Sequence, residues 1–354
     1  MKRFFMLFVS ALLCASIIFS PISAYALDTS AHSAVLIDAD SGLIMYEKNA
    51  YERMPMASTT KIMTALVALE NADMNTEVEV PSGAVGVEGS SVCLKAGETM
   101  PLGELLYAMM LESANDAAAA IAITVGGSIE EFALMMNERA QSLGLTDTSF
   151  ANPHGLDAEN HYTTAHDLAI IAAEALKNET FAEMVSTYKH RIPMESGGYR
   201  YLMNHNKMLR LYDGAIGVKT GFTKKSGRCL VSAAERDGLK LVAVTLSAPD
   251  DWRDHTAMLD YGFENYEHRT LASVGEFAFT LECIGKKVSH LSVTNAEAAE
   301  VCLKKDSGNI KQTVYLPRFV WAPVNSGDLL GRIDFTLDGK IIASVPLAVS
   351  AVEQ

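Results

Sequence analysis

Hydrophobic residues along the chain fall either into short apolar runs bounded by turns or into repeats with helical spacing, and these two patterns predict where strands and helices lie. The segment SAVLIDADSGLIMYE at 33–47 has two apolar runs around a turn at Asp38 to Gly42, which predicts a strand hairpin. Apolar residues near helical spacing predict helices over PLGELLYAMMLE, NDAAAAIAITVGG, IEEFALMMNERAQSLG and TAHDLAIIAAEALKN. GAIGVKTGF and RCLVSAAERDGLKLVAVTLSA predict strands with a turn at Arg236 to Gly238, and DHTAMLDYGFENY predicts a further helix. Strands on both sides of a helical middle predict one sheet with helices packed on it.

The pattern changes after about residue 268, where helical spacing gives way to short apolar runs. The segment FVWAPVNSGDLLGRIDFTLDGKIIASVPLAV is divided by NSGD and LDGK turns, as expected for strands. A chain of 354 residues has room for about two domains. We therefore predict an α/β domain over residues 27–267, followed by a small β-rich domain over residues 268–354.

The N-terminal segment has the pattern of an export signal. A Lys-Arg pair precedes the apolar stretch FFMLFVSALLCASIIFS, and Ala24 and Ala26 form an A-x-A cleavage site. We predict a signal peptide over residues 1–26, a mature chain that begins near Leu27, and a protein that works outside the cytoplasmic membrane. The alternative is an uncleaved signal that anchors the chain.

Composition and charge narrow the classes of partner. Hydrophobic residues make up 49% of the chain and charged residues 20%, as in an ordinary globular protein. The net charge of −14 argues against a nucleic-acid partner, because binding to phosphates needs a basic surface. His154, Asp157 and His161 stand in HGLDAENH without a metal-ligand spacing, so we expect no metal site in this loop.

The cysteines do not form a recognisable framework. Cleavage of the signal would remove Cys14 and leave four cysteines whose spacing matches neither a zinc site nor a dense disulfide scaffold. Cys283 and Cys302 could pair if strands bring them together, whereas buried free thiols are the simpler interpretation. The four are Cys93, Cys229, Cys283 and Cys302.

Three short motifs carry the candidate chemistry: STTK from Ser58 to Lys61, SAN from Ser113 to Asn115, and KTG at 219–221. Residues three apart on a helix share a face, so the lysine amine can reach the serine hydroxyl. Taken alone, the first motif could be a helix N-terminus with a solvated lysine. All three in this order are the S-x-x-K, S-x-N and K-T-G elements of penicillin-recognising serine enzymes.

The residue types suit nucleophilic catalysis. Ser58 is a weak nucleophile without a base, and Lys61 can act as that base only if the cation of Lys219 and partial burial lower its pKa. We expect Ser113 to relay a proton and Asn115 to hold the substrate amide and the Lys61 amine.

The KTG motif and its neighbours are expected to bind substrate. Lys219 and Thr220 are predicted on an exposed strand edge, and Gly221 would let substrate approach the backbone. The backbone N–H groups of Ser58 and Phe222 could form an oxyanion hole.

On these motifs, the chain resembles the D-alanyl-D-alanine carboxypeptidases among the low-molecular-weight penicillin-binding proteins. FANPHGLD, YTTAHDLAIIA and GVKTGFTKKSGRCLVSAAERDGLKLV extend the resemblance over nearly the whole mature chain. It implies a transpeptidase/β-lactamase-like α/β domain with an antiparallel sheet, followed by a β-rich domain. It also implies removal of the terminal D-alanine from peptidoglycan stem peptides through an acyl-enzyme on Ser58, and covalent inhibition by β-lactams. It implies neither a metal nor an organic cofactor.

The resemblance further implies that an arginine after the last catalytic strand reads the substrate's free carboxylate, and SAPDDWRDHTAML offers Arg253. The alternative is a surface arginine that pairs with Asp250, Asp251 or Asp254. The chain departs from many relatives at its end, where IIASVPLAVSAVEQ lacks the amphipathic helix that would bind a membrane, so a C-terminal anchor is doubtful.

Two other functions use the same motifs. A β-lactamase would hydrolyse the acyl-enzyme rapidly, but its middle motif usually reads S-D-N and it would lack the added β domain. A non-catalytic wall-binding protein would be expected to have lost Ser58 or one of the two lysines, and all three are present.

Overall fold

The computed structural model describes residues 27–194, 197–285 and 290–352, and the signal peptide predicted over 1–26 lies outside these ranges. The described helices are α1 (Lys61–Asn71), α2 (Leu102–Leu111), α3 (Asn115–Gly126), α4 (Ile129–Ser142), α5 (Ala165–Leu176), α6 (Glu179–Ser186), α7 (Met208–Leu211) and α8 (Asp251–Asn265). The first nine strands are β1 (Ser33–Asp38), β2 (Ile44–Lys48), β3 (Glu77–Glu79), β4 (Thr99–Pro101), β5 (Lys189–Pro193), β6 (Tyr199–Met203), β7 (Ala215–Thr223), β8 (Gly227–Arg236) and β9 (Leu239–Leu246). The later strands are β10 (Tyr266–Ala272), β11 (Ala278–Ile284), β12 (His290–Asn295), β13 (Ala299–Lys304), β14 (Lys311–Tyr315), β15 (Phe319–Trp321), β16 (Leu329–Leu337) and β17 (Lys340–Val352).

A five-stranded antiparallel sheet forms the centre of the first domain, in the order β2-β1-β9-β8-β7. Successive side chains of a strand face opposite sides of a sheet, so the two faces are buried in different cores. Val35 and Ile37 of β1 pack in the larger core with helices α1 to α6. Leu36 packs on the other face, in the core that contains Met258 and Leu259 of α8. The predicted antiparallel sheet with helices packed on it is confirmed.

The contact between the sheet edge and the start of α1 positions the motif residues. A 3₁₀ turn at Ala57–Thr60 precedes α1 and lies against β7. A Cβ atom added at Gly221 of β7 would lie 3.0 Å from the Ser58 nitrogen and 3.1 Å from the Ala57 Cβ. Glycine is therefore needed for β7 to lie this close to the turn.

The segment from 179 to 203 contains elements that the apolar pattern did not predict. Helix α6 is followed by the two-stranded hairpin of β5 and β6, in which Arg191 pairs with Tyr201. Among the ten residues of β5 and β6, only Ile192 and Leu202 are fully buried apolar residues. With one buried apolar residue in each strand and exposed apolar residues beside it, the ten strand residues show no clear strand pattern.

The second domain consists almost entirely of strands, as predicted. Strands β14-β16-β17-β12-β11-β15 form one sheet, and β10 pairs with β13. Its core includes Leu281, Val293, Phe335 and Leu347. The final segment IIASVPLAV lies within β17.

The four cysteines of the described ranges, Cys93, Cys229, Cys283 and Cys302, are all free thiols. The alternative of a bond between Cys283 and Cys302 is therefore wrong for this structure. Cys283 lies on β11 and Cys302 on β13, and these strands belong to different sheets.

Within the described residues, no single helix combines the length and apolar content that a membrane span requires. Helices α3 and α4 reach those values only as a pair, with an angle of 82° between them.

Candidate active site

The first motif places Ser58 and Lys61 one turn apart at the junction of the 3₁₀ turn and α1. Lys61 Nζ lies 3.0 Å from Ser58 Oγ, within hydrogen-bond distance. Ala57, just before the serine, has φ +47°, in the left-handed region that non-glycine residues rarely adopt. Such backbone strain is often found at functional sites.

The Lys61 amine is completely buried and is surrounded by oxygen atoms. It lies 2.7 Å from Asn115 Oδ1 and 2.6 Å from the His154 carbonyl oxygen, in addition to Ser58. Burial lowers the pKa of Lys61 well below its usual value, the nearby Lys219 cation lowers it further, and Asp116 opposes the shift. A neutral amine has two hydrogens for the two carbonyl oxygens, which leaves its lone pair for the Ser58 hydroxyl proton.

The second motif lies in the break between α2 and α3. Ser113 has φ +60° and lines the same cleft as Ser58. Asn115 begins α3, and its Nδ2 donates to the Glu88 carbonyl at 2.5 Å while its backbone nitrogen donates to the Ser90 carbonyl at 2.7 Å. These bonds fix the Asn115 amide so that its oxygen faces Lys61.

Asp116 holds the loop that covers the second motif. This carboxylate is 1% exposed and accepts hydrogen bonds from Ser91 Oγ at 2.6 Å and from the Leu94 nitrogen at 3.0 Å. A Cβ atom added at Gly89 would lie 2.7 Å from Asn115 Nδ2, so this loop packs directly on the amide.

The third motif contributes a second buried lysine. Lys219 on β7 is 2% exposed, and its Nζ donates to the Thr220 carbonyl at 3.0 Å. Burial lowers its pKa to about 7, while the negative charge of Glu112 opposes this shift. Glu112 also accepts from the Met203 nitrogen at 2.6 Å and lies 3.2 Å from His205 Nε2.

The two histidines of HGLDAENH lie beside the first motif, where the His154 backbone contacts Lys61 and the His161 ring contacts Thr60. His161 Nδ1 accepts from the Ala151 nitrogen at 3.1 Å, so its Nε2 carries the hydrogen that points to Thr60 Oγ1 at 2.8 Å. Burial lowers the pKa of His161 to about 4 and that of His154 to about 3, so both rings are neutral at pH 7. The carbonyl of His154 contacts Lys61. Sequence analysis assigned this loop no role, because a backbone carbonyl leaves no signal in the residue type.

The three motifs meet at one cleft of about 360 Å³. It is lined by Ser58, Ser90, Ser113, His205, Lys207, Thr220, Gly221, Phe222, Arg228, Cys229, Asp251 and Trp252. The structure therefore brings together the motif serines and the predicted substrate-binding residues of β7. Phe222 is 65% exposed at the rim, and the buried amines of Lys61 and Lys219 lie beneath the lining.

The prediction that Arg253 faces the site is wrong for this structure. Arg253 is 84% exposed, lies 3.8 Å from Asp250, and lines a separate pocket of about 590 Å³ beside Leu27. On an α-helix each residue turns by about 100°, so Arg253 points away from the cleft that Asp251 and Trp252 line. The alternative of a surface arginine beside Asp250 describes its observed position.

Arg228 is the arginine that the cleft contains. Its Nε and Nη2 donate to the two oxygens of Asp251 at 3.1 and 2.7 Å, and its Cζ lies 5.7 Å from the centre of the Trp252 ring. Asp251 is 3% exposed and Arg228 is 43% exposed, so the pair is anchored at one end and open to solvent at the other. Lys207 Nζ lies 5.9 Å from the same ring.

Sequence analysis missed Arg228, Lys207, His205 and Trp252. Only Arg228 had a usable signal: a hairpin turn near Ser226 places it opposite Phe222, immediately after the KTG motif. The other three come from loops and from the first turn of α8, whose direction the apolar pattern does not determine.

Comparison with known families gives two matches that together span most of the chain. Residues 20–250 match the family model described as D-alanyl-D-alanine carboxypeptidase. Residues 266–354 match the model of the penicillin-binding protein 5 C-terminal domain.

Individual relatives agree with these matches. The chain is 35% identical to the D-alanyl-D-alanine carboxypeptidase DacF of Bacillus subtilis over 328 residues, or 90% of this chain and 84% of that protein. It is 32% identical to DacC of Escherichia coli, with 90% and 83% covered. The crystal structure of penicillin-binding protein 5 from Haemophilus influenzae superposes with a TM-score of 0.77 at 26% identity, over 93% of this chain and 99% of that one. The Streptomyces K15 DD-transpeptidase superposes with a TM-score of 0.64 at 33% identity, over 67% and 98%. With its two buried lysines, its serine at the start of α1 and its added β domain, the chain belongs to the D-alanyl-D-alanine carboxypeptidase family of serine hydrolases.

Proposed function

We propose that this enzyme removes the terminal D-alanine from peptidoglycan pentapeptide stems through an acyl-enzyme on Ser58. The observation that carries the proposal is the buried Lys61 amine 3.0 Å from Ser58 Oγ, with its other hydrogen-bond directions taken by two carbonyl oxygens. A neutral amine in that position can accept the serine proton.

The reaction proceeds in two steps, acylation of Ser58 and hydrolysis of the acyl-enzyme. Ser58 Oγ attacks the carbonyl carbon of the penultimate D-alanine as its proton passes to Lys61, and the resulting oxyanion is held by the backbone N–H groups of Ser58 and Phe222. The proton then passes to the leaving D-alanine nitrogen, with Ser113 as the relay, as the peptide bond breaks. Water hydrolyses the acyl ester and restores the Ser58 hydroxyl.

Arg228 binds the free carboxylate of the substrate, and Thr220 lies in the same cleft. The Nε and Nη2 groups of Arg228 are occupied by Asp251, which leaves Nη1 free to donate toward the cleft. Lys207 adds a second positive charge at this end of the cleft. A paired, stacked guanidinium loses little conformational freedom when it binds a carboxylate.

β-Lactams are expected to acylate the same serine. Their strained amide carbonyl and their carboxylate are separated by a distance similar to that between the scissile carbonyl and the free carboxylate of the D-Ala-D-Ala substrate. The enzyme is expected to act outside the cytoplasmic membrane, where its substrate lies, after export by the N-terminal segment with its A-x-A site.

The test is release of D-alanine from a diacyl-D-Ala-D-Ala peptide, together with covalent labelling by a fluorescent penicillin. Ser58→Ala should abolish both while the protein still unfolds cooperatively on heating. Lys61→Ala should slow acylation by about 10²- to 10⁴-fold, the value of positioned proton transfer. Labelling of Ser58→Ala at the wild-type rate would overturn the assignment of Ser58.

The pH profile and the fate of the label separate the alternatives. Acylation should rise with pH as Lys61 loses its proton, over a range below the usual lysine pKa because burial lowers it. Rapid turnover of the penicillin would identify a β-lactamase. Absence of both labelling and D-alanine release in the wild-type protein would identify a non-catalytic binding protein.

A further inference from the structure

The hairpin of β5 and β6 presents an exposed face that the proposed reaction does not use. The hairpin face is defined here as Lys189, Arg191, Tyr199, Tyr201 and Met203, which alternate with inward-facing residues along the two strands. Tyr201 is 74% exposed, Met203 47% and Tyr199 44%. Large exposed side chains grouped in this way are typical of a binding surface.

The charge of the hairpin face is opposite to that of the chain as a whole. The chain carries a net charge of −14, yet the ten residues of β5 and β6 include no Asp or Glu. Glu195 falls between the two strands in the sequence and lies outside the described residues. Arg191 Cζ lies 4.6 Å from the centre of the Tyr199 ring. This face therefore combines cations with aromatic rings and attracts anionic groups.

The opposite face of the hairpin is held against the domain by side-chain contacts. His190 Nε2 lies 2.7 Å from Glu104 Oε2, and its ring stacks on Tyr107 with centroids 4.1 Å apart. Arg200 Nη1 donates to Glu98 at 3.1 Å. Arg200 is thus paired with the carboxylate of Glu98, whereas none of the carboxylates in the described part of the chain forms an ion pair with Lys189 or Arg191.

The hairpin face is continuous with the catalytic cleft. The Met203 nitrogen donates to Glu112, which immediately precedes the second motif, and His205 and Lys207 just beyond β6 line the cleft. A strand of five residues extends about 16 Å, and the part of a pentapeptide stem before the D-alanines is about 10 Å long when extended. A stem that runs from Ser58 past His205 and along β6 would therefore lie over part of the hairpin face, with the glycan beyond it.

We propose that the hairpin face binds the anionic stem and the sugars of polymeric peptidoglycan, which rests on the proposed function of the cleft. Lys189 and Arg191 would pair with the free carboxylates of the stem peptide. Tyr199 and Tyr201 would pack against the C–H faces of the amino sugars, as aromatic rings do with flat apolar surfaces. Binding energy from these remote contacts favours the polymer over a short peptide.

The first test compares kcat/KM on two substrates for Tyr201→Ser and Arg191→Glu. On polymeric peptidoglycan with pentapeptide stems, each variant should lose about tenfold, the loss expected when one aromatic or charge-assisted contact is removed. On a diacyl-D-Ala-D-Ala peptide, both should match the wild type. Tyr315→Ser is the matched control, because Tyr315 also carries an arginine 4.6 Å from its ring but lies in the β domain.

The second test measures binding without catalysis. Ser58→Ala protein should sediment with insoluble peptidoglycan, and the added Arg191→Glu change should weaken this binding, whereas Tyr315→Ser should not. Unchanged binding and unchanged polymer hydrolysis in the hairpin variants would overturn the inference, as would equal losses on polymer and peptide. Stronger sedimentation with anionic phospholipid vesicles than with peptidoglycan would also overturn it. By contrast, a wild-type enzyme that releases no D-alanine from the short peptide contradicts the proposed function, while the binding result still decides the role of the hairpin.

Discussion

Substitution of Arg228 tests whether this residue binds the carboxylate of the substrate or only stabilises the fold. Arg228→Ala removes a donor that faces the cleft, and a hydrogen bond between charged groups is worth about 1.5–3 kcal/mol. On a peptide that ends in free D-alanine, kcat/KM should therefore fall by about 10- to 150-fold. On the same peptide ending in D-alanine amide, which has no carboxylate, the loss should be at most a few-fold.

The structural cost of this change can be bounded. The Asp251 side chain is 3% exposed, and Arg228→Ala removes its bidentate partner. Burial already raises the pKa of Asp251, and the pKa should rise further without the arginine, which lowers it. Because Arg228 is 43% exposed, water replaces part of the interaction, and we expect the free energy of unfolding to fall by only about 1 kcal/mol. Thermal unfolding measures this effect independently of activity.

Arg253→Ala is the matched control for this experiment. It removes the same residue type from an 84% exposed position in a different pocket, so both substrates should be hydrolysed at the wild-type rate. Equal losses on the acid and the amide in Arg228→Ala, or an acid-specific loss in Arg253→Ala, would refute the assignment.

Three further predictions concern the buried charges and the close contact at the nucleophile. The Lys219 pKa of about 7 lies below the usual 10.5, so the cost of its burial is fully present below pH 7 and is relieved as pH rises from 7 to 10.5; Lys219→Met should raise the melting temperature below pH 7, with a gain that shrinks as pH rises through this range. Asp116→Asn removes a charge that raises the Lys61 pKa, so the acidic limb of the acylation profile should move to lower pH. Gly221→Ala adds a Cβ atom 3.0 Å from the Ser58 nitrogen, so acylation should slow by about tenfold or more, with little change in thermal stability.

Each of these has an outcome that contradicts it. A Lys219→Met protein that is less stable than wild type at every pH would show that the lysine supports the fold. A shift of the Asp116→Asn profile to higher pH would show that the loop, and not the charge, controls Lys61. Wild-type acylation by Gly221→Ala would show that the turn at Ser58 can move aside without consequence.

The sequence predicted the parts of the fold in which burial leaves a strong pattern in residue type. Strands β1, β8 and β9 are buried on both faces and appear as apolar runs, whereas helices α2 to α5 show helical spacing. The hairpin of β5 and β6 was not predicted, because its outer face is aromatic and charged. Its position depends on side-chain contacts such as that of His190 with Glu104, which are distant in sequence.

The candidate site also contains some residues that the sequence predicted and others that it could not predict. Ser58, Lys61 and Asn115 were predicted because the chemistry requires those residue types in that order. The carbonyl of His154 could not be predicted, since every residue has one. The error at Arg253 arose from helix direction: Asp251 and Trp252 face the cleft, and a residue one position further along α8 does not.

The oxygen atoms around the Lys61 amine come from parts of the chain that are far apart in sequence. Ser58 is 3 residues from the lysine, Asn115 is 54 residues away and His154 is 93 residues away. Contacts of such long range form late in folding, because the chain must first close large loops. Reactivity of Ser58 should therefore appear only when the whole first domain is assembled. In a refolding experiment, penicillin labelling would then report the final step, after the helical signal in circular dichroism has returned.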